Sequence, residues 1–248
     1  MRIRVFDTAD RLARALAVDI ARCVRRRPNI VLGLPTGRTP IPLYRELVAL
    51  YRRGGVDFSR ATTFNLDEFV GIAADDPRSY HAFMRQHLFD HVNLHARRTY
   101  VLDGTAADLT RECDRYERAI ARAGGIDIQL LGLGANGHIG FNEPAAALVA
   151  KTHRTALRDA SRRANASWFD NQLRAVPHEA LSMGMATILH ARRVVLIATG
   201  AMKARCVEKM IRGPVTPKIP ASFLQLHQHA EVWLDASAAA RLQPARDD

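Results

Sequence analysis

Short apolar runs alternate with longer stretches in which apolar residues recur every three or four positions, and the alternation continues along the whole chain. Ile3 to Phe6 predicts a strand. Ala9 to Val24 predicts an amphipathic helix that runs into the basic segment Arg25-Arg26-Arg27-Pro28. Ile30-Val31-Leu32-Gly33-Leu34 is apolar without alternation, as in a strand buried on both faces. Pro40 to Arg52 predicts a helix with Thr39 as N-cap, Pro40 at the first helical position, and Leu43, Leu47, Leu50 and Tyr51 on one face. Ala61 to Leu66 follows as a strand, Ser79 to His91 as a helix and Thr99 to Leu102 as a strand. A long charged helix then ends at Arg122, and Ile126 to Leu133 predicts a core strand. Beyond a loop-rich middle, the pattern predicts a helix over Pro177–His190, a strand over Arg193–Ala198, a helix over Met202–Arg212 and a short strand over Glu231–Leu234.

This succession predicts an α/β fold: a doubly wound, mainly parallel sheet with helices on both faces. No Gly/Ser-rich or Pro-rich linker and no repeat divides the chain, so residues 1–248 are expected to form a single domain. Ligands of such sheets sit beyond the carboxyl ends of the strands. The loops after Leu34, Leu66, Leu133 and Ala198 are therefore where chemistry is expected.

Composition changes little in this picture. At 48% hydrophobic and 25% charged residues, the chain can fill a sizeable core. Charge is the anomaly: net +11, with only four lysines (Lys151, Lys203, Lys209, Lys218) among 36 basic residues, the rest being arginine. Such an excess invites a nucleic-acid reading. The arginine runs fall at predicted helix ends and exposed faces, with no binding motif attached, so no nucleic-acid partner is expected. The excess charge can still help draw in a small anion. Cys23, Cys113 and Cys206 are far apart and form no C-x-x-C pair, which argues against a disulfide scaffold or zinc site and for a reducing compartment. No signal-peptide core and no apolar run near the ~18 residues of a membrane span is present. A cytoplasmic protein without a membrane partner is expected.

Four loops carry candidate chemistry. Leu34-Pro35-Thr36-Gly37-Arg38-Thr39-Pro40 joins a core strand to a helix start, where free amides, two hydroxyls and a guanidinium suit a phosphate. It lacks the G-x-x-x-x-G-K-[ST] pattern of a Walker loop, and a plain strand-to-helix turn would also fit. Asn65-Leu66-Asp67-Glu68-Phe69 ends a strand with two carboxylates that point to opposite sides. One of them could be a general base if burial raises its pKa, although a surface turn is the commoner setting for such a pair. Gly132-Leu133-Gly134-Ala135-Asn136-Gly137-His138-Ile139-Gly140-Phe141-Asn142-Glu143-Pro144 lets the backbone approach a ligand and pairs His138 with Glu143, a device for proton transfer. Its glycines do not open a helix, so it is not a dinucleotide fingerprint. Finally, Thr199-Gly200-Ala201-Met202-Lys203 places one of the few lysines at the expected ligand edge, as a second phosphate contact or a solvated surface residue.

Together these segments resemble the glucosamine-6-phosphate deaminase (isomerase/deaminase) family. The resemblance runs nearly end to end: LPTGRTP at 34–40, FNLDEFVG at 64–71, SYHAFM at 79–84, GLGANGHIGFNEP at 132–144, RRANASWFDN at 162–171 and SFLQLH at 222–227. 6-Phosphogluconolactonases share the fold, but they usually carry W-x-D-E-R and S-L-F-P where this chain has FNLDEF and FNEP. The resemblance implies a Rossmann-like fold and a reaction needing neither metal nor organic cofactor. An aldose phosphate with a 2-amino group becomes fructose 6-phosphate and ammonia. His138 would open the pyranose ring, oriented by Glu143 and Asn136, and Asp67 would take the C2 proton. Thr36, Gly37, Arg38, Thr39 and Lys203 would hold the phosphate. An amide at Asn136, where some members have Asp, implies a less basic His138. Ser167 stands where members usually have a phosphate-binding arginine, and Arg38 is expected to supply the missing guanidinium. That exchange leaves galactosamine 6-phosphate open as an alternative substrate. A lactonase and a non-catalytic sugar-phosphate-binding effector domain are the remaining alternatives. The pattern displays no interface, so a homo-oligomer is possible but undetermined.

Overall fold

The computed structural model describes residues 1–242; the last six residues of the expected 1–248 domain lie outside the described residues. In chain order the elements are β1 (Arg2–Phe6), α1 (Ala9–Arg26), β2 (Val31–Leu34), α2 (Ile41–Arg52), β3 (Thr62–Asn65), β4 (Asp67–Phe69), α3 (Tyr80–His87), β5 (Thr99–Tyr100) and α4 (Leu109–Arg122). They continue with β6 (Ile128–Gly132), β7 (His153–Ala156), α5 (Asp159–Asn165), β8 (Glu179–Ser182), α6 (Met185–Leu189), β9 (Arg193–Ala198), α7 (Ala204–Arg212) and β10 (Ala230–Asp235). Seven strands form one parallel sheet in the order β1-β10-β9-β6-β2-β3-β5.

The parallel sheet is buried on both faces, which is why its strands read as near-continuous apolar runs. Along β9, Val194, Leu196 and Ala198 face one core while Val195 and Ile197 face the other. The first core packs Phe64, Leu131 and Leu196 against Tyr116 of α4 and Val207 of α7. The second packs Leu32, Leu130 and Trp233 against α1 and α2. The α1 helix illustrates the local logic. The Thr8 hydroxyl accepts the Arg11 amide at 3.2 Å as N-cap. Leu12, Leu16, Ile20 and Val24, four residues apart, are all at most 2% exposed.

From β2 the chain winds outward through β3 to the edge strand β5, then crosses back to lay β6 on the other side of β2. The winding direction reverses between β2 and β6, and the crevice past their carboxyl ends is where this architecture seats a ligand.

A second sheet, antiparallel and in the order β4-β8-β7, stands beside the first. This part corrects the sequence reading. Residues 177–190 are not one helix: Glu179–Ser182 is the middle strand of the small sheet, and only Met185–Leu189 is helical. Glu-Ala-Leu-Ser has good helix formers, but β4 and β7 supply hydrogen-bonding partners on both sides, and tertiary pairing overrides a weak local preference. The loop-rich middle likewise holds β7 and α5. Two smaller differences concern ends. The α2 helix begins at Ile41 with Pro40 in the cap position and no side-chain cap, so Thr39 does not cap it. The helix expected to reach His91 stops at His87, followed by a 3-10 turn over Phe89–His91.

Candidate active site

The site is built where the two sheets meet. β3 ends at Asn65 in the large sheet, and two residues later Asp67 begins β4 in the small one, opposite Ser182 of β8. The Ser182 hydroxyl accepts the Phe141 amide at 3.0 Å, and Asn142 donates to the Met183 carbonyl at 2.8 Å. Met183 N–H in turn donates to the Leu66 carbonyl at 2.7 Å. The end of β8 thus ties the Asp67 strand to the His138 loop.

Asp67 is 7% exposed and its Oδ1 has no hydrogen-bond partner among the described residues. Burial first, and the neighbouring Glu68 charge second, push its pKa up to about 8. Glu68, only 2% exposed, points the other way and does a different job. Its carboxylate accepts the amides of Phe69 (2.8 Å), Tyr80 (3.0 Å) and His81 (3.0 Å), two of them in the first turn of α3. Burial raises the Glu68 pKa to about 7 against the pull of these amides. The adjacent carboxylates therefore divide, one free to react and one holding a helix start.

The 134–143 loop is folded around its histidine. Asn136 Nδ2 donates to Glu143 Oε2 at 2.9 Å, and the Asn136 carbonyl oxygen accepts the His138 amide at 3.2 Å. His138 Nδ1 lies 3.7 Å from Glu143 Oε2, and its side chain keeps 23% of its surface. Asn136 therefore acts on the ring through Glu143 and the backbone, not by touching the imidazole. Burial holds the His138 pKa below its ordinary value; Glu143 pulls it up and the Lys203 ammonium pushes it down. Burial, more than the amide at Asn136, makes this histidine less basic. Gly134 is a close-approach glycine: a Cβ there would stand 2.3 Å from His138 Cε1.

Lys203 follows a turn at Gly200, where φ is +86°. The Gly200 amide donates to both carboxylate oxygens of Asp235, at 3.1 and 3.0 Å, which fixes this turn to the end of β10. Burial lowers the Lys203 pKa. On the opposite loop the Thr36 hydroxyl lies against that of Tyr80, and Gly37 adopts φ +92°. Arg38 is exposed and, with Thr39 and Thr199, lines a cleft of about 250 Å³ against the start of α1. Asn136, His138, Glu143 and Lys203 thus converge, and Asp67 joins them through β8. Arg38 makes no contact with this group among the described residues.

Sequence reasoning missed several partners. Ser161 of α5, 2% exposed, donates its hydroxyl to Glu143 Oε1. Asn165, one turn on, donates to the Ser161 carbonyl at 2.9 Å and accepts the Tyr80 hydroxyl at 3.2 Å. A serine in Asp-Ala-Ser-Arg-Arg carries no local signal, whereas Tyr80 and Asn165 fall inside segments of the family resemblance. Among the described residues no group of three or more His, Cys, Asp or Glu could hold a metal ion. Nor, among the described residues, is any helix long and apolar enough to cross a membrane.

A buried carboxyl with an unpartnered oxygen and a histidine beside a second carboxylate, both beyond the carboxyl ends of strands of the doubly wound sheet, are groups suited to acid–base chemistry. The chain belongs to the family of glucosamine-6-phosphate isomerases and 6-phosphogluconolactonases, whose model matches residues 6–233. It is 45% identical over 242 residues to a glucosamine-6-phosphate deaminase of Halothermothrix orenii, covering 98% of this chain and 100% of that one. It is 52% identical over 223 residues to the Rhodopirellula baltica glucosamine-6-phosphate deaminase, covering 90% and 88%. A solved monomeric glucosamine-6-phosphate deaminase superposes with a TM-score of 0.94 at 40% identity, covering 97% of this chain and 100% of that one. The 6-phosphogluconolactonase of Thermotoga maritima, 18% identical with a TM-score of 0.75, shares the fold.

Proposed function

We propose that the protein converts glucosamine 6-phosphate and water to fructose 6-phosphate and ammonia, and that residues 1–248 act as one catalytic domain. The observation that carries this reading is Asp67. A buried carboxyl with a free oxygen and a pKa near 8 suits abstraction of a carbon-bound proton, because a general base works best when its pKa lies near the operating pH. A lactonase has no such proton to remove, and an effector domain needs no base.

The steps are those the family resemblance implies, assigned to residues whose placement is compatible with them. His138, neutral and steered by Glu143, moves the proton from the anomeric O1 to the ring O5 as the pyranose opens. Asp67 then takes the C2 proton, and the electron pair shifts so that the aldehyde becomes a 1,2-enolamine. Protonation at C1 yields the ketose imine, and water adds at C2 and expels ammonia. This last step makes the reaction hydrolytic. Thr36, Gly37, Thr39 and Lys203 would hold the 6-phosphate at the helix-start loops, with Arg38 at its outer rim. Asn136, Ser161 and Asp235 position these groups without touching the substrate. A cytoplasmic setting suits a phosphorylated sugar and three free thiols.

The test is ammonia release coupled to fructose 6-phosphate formation, with Asp67→Asn as control. Glucosamine 6-phosphate should turn over and the variant should not; ammonia no greater than the variant's would overturn the reading. Galactosamine 6-phosphate, run beside it, addresses the exchange of Ser167 and Arg38.

A further inference from the structure

A second, basic concavity lies at the amino end of the parallel sheet. A groove of about 910 Å³ opens along the edge strand β5, with Thr62 and Tyr100 on its floor and Arg97, Arg98, Arg115 and Arg122 around it. Thr62 opens β3, whose far end leads to Asp67, so the groove is at the amino end of the sheet and away from the catalytic loops. Its walls come from separate parts of the chain. The 3-10 turn at Ala96–Arg98 brings two arginines, and α4 brings the other two. On α4 the face is Arg115, Ala119, Arg122 and Ala123, a stripe in which small alanines leave depth between long basic side chains.

The charge of this groove is not neutralised from within. Arg97, Arg98 and Arg122 make no ion pair among the described residues, while Arg115 is held by Glu112 at 2.5 and 2.6 Å. Arg98 and Arg122 donate only to backbone carbonyls, those of Arg60 and Arg118, at 3.4 and 3.3 Å. His95 and Ser59 add an imidazole and a hydroxyl to the rim. Like charges gathered around a concavity repel one another unless an anion sits between them. Guanidinium groups match phosphate oxygens two at a time. The volume is that of a small-ligand site, whereas a nucleic acid would need a longer basic track with exposed aromatic rings. The Tyr100 ring is already stacked on Phe64 at 4.6 Å between centroids.

We propose that this groove binds a chain of phosphates, through the phosphates and without recognition of a base. Inorganic oligophosphate and the triphosphate of a nucleotide share that chemistry. The inference stands apart from the catalytic reading, since none of its residues belongs to that site.

The test is calorimetric titration of the full chain with tripolyphosphate, ATP, AMP and inorganic phosphate, repeated at higher salt. Tripolyphosphate should bind at least about tenfold more tightly than AMP or phosphate, with an affinity that falls as salt rises. Similar affinities for tripolyphosphate and ATP would support binding through the phosphates alone. Arg97→Ser with Arg122→Ser should weaken tripolyphosphate about tenfold or more and leave turnover of the sugar phosphate unchanged. Lys203→Ala, at the other end, should leave tripolyphosphate binding intact. The proposal is overturned if the double variant binds as the parent does, if Lys203→Ala abolishes binding, or if ATP binds and tripolyphosphate does not. A short single-stranded oligonucleotide that outcompetes tripolyphosphate would also overturn it, in favour of a nucleic-acid surface.

Discussion

Asp67→Asn should stabilise the protein, and increasingly so as the pH rises. The native pKa of Asp67, about 8, lies above the ordinary 3.8 that the unfolded chain recovers. Between those values the native state holds a proton that the unfolded state has lost, so stability falls as pH increases. The stabilising contribution is fully present below pH 3.8 and is lost as the pH climbs through 8. Each unit of difference is worth about 1.4 kcal/mol, so the interval from pH 5 to pH 8 corresponds to about 4 kcal/mol at most. Water entering the pocket relaxes part of this, leaving a measurable difference of a few kcal/mol. An asparagine has no proton to lose and escapes the penalty. Urea unfolding of both proteins at pH 5 and pH 8 measures it directly. The variant should gain little at pH 5 and a few kcal/mol at pH 8, or about 10 °C in melting temperature at roughly 2–4 °C per kcal/mol for a chain of this size. Parallel stabilities at the two pH values, within about 1 kcal/mol, would refute the burial argument for this carboxyl.

Four further outcomes follow from the same geometry. Glu68→Gln removes the like charge beside Asp67 and should move the acid limb of the kcat/KM profile down by about one pH unit; an unmoved limb would mean that burial alone sets the base. Gly134→Ala puts a methyl group into the His138 ring and should lower kcat by about a hundredfold with KM little altered, read by steady-state kinetics, because about 1 Å of misplacement costs that much. Ser161→Ala should cut kcat about tenfold and Ser161→Thr should restore most of it, the hydrogen bond to Glu143 being worth about 1.5–3 kcal/mol; equal rates in both would leave Ser161 a packing residue. Arg38→Gly should raise KM about tenfold or more, as expected for a charge-assisted phosphate contact, and an unchanged KM would remove Arg38 from the phosphate site.

Most of the large sheet was readable because both of its faces are buried, so each strand announces itself as an apolar run between amphipathic helices. The site loops were readable for a related reason: Gly134, Gly137 and Gly140 crowd into one turn only where backbone must pass close to something. The small sheet was not readable. Its strands have three or four residues, and Glu179–Ser182 uses residues that favour a helix when nothing is beside them. The residue pattern by itself left Asp67 and Glu68 equivalent, and only the family resemblance singled out Asp67, because their roles depend on which of them meets the start of α3. Ser161 and Asp235 reach their partners across 18 and 35 residues, and nothing in their own neighbourhoods marks them.

Leu66 is the single residue between β3 of the large sheet and β4 of the small one, and this gives the substrate a mechanical part to play. The loops proposed to grip the phosphate hang from the large sheet, whereas the base and the segment ahead of Glu143 are fastened to the small one through β8. A sugar phosphate seated in both would act as a cross-brace between two sheets that already share a hydrophobic core through Leu66, Leu181 and Met183. Its length from phosphorus to C2 then becomes a gauge. Sugars one carbon shorter or longer would still find each half of the site, but could not engage both halves at once.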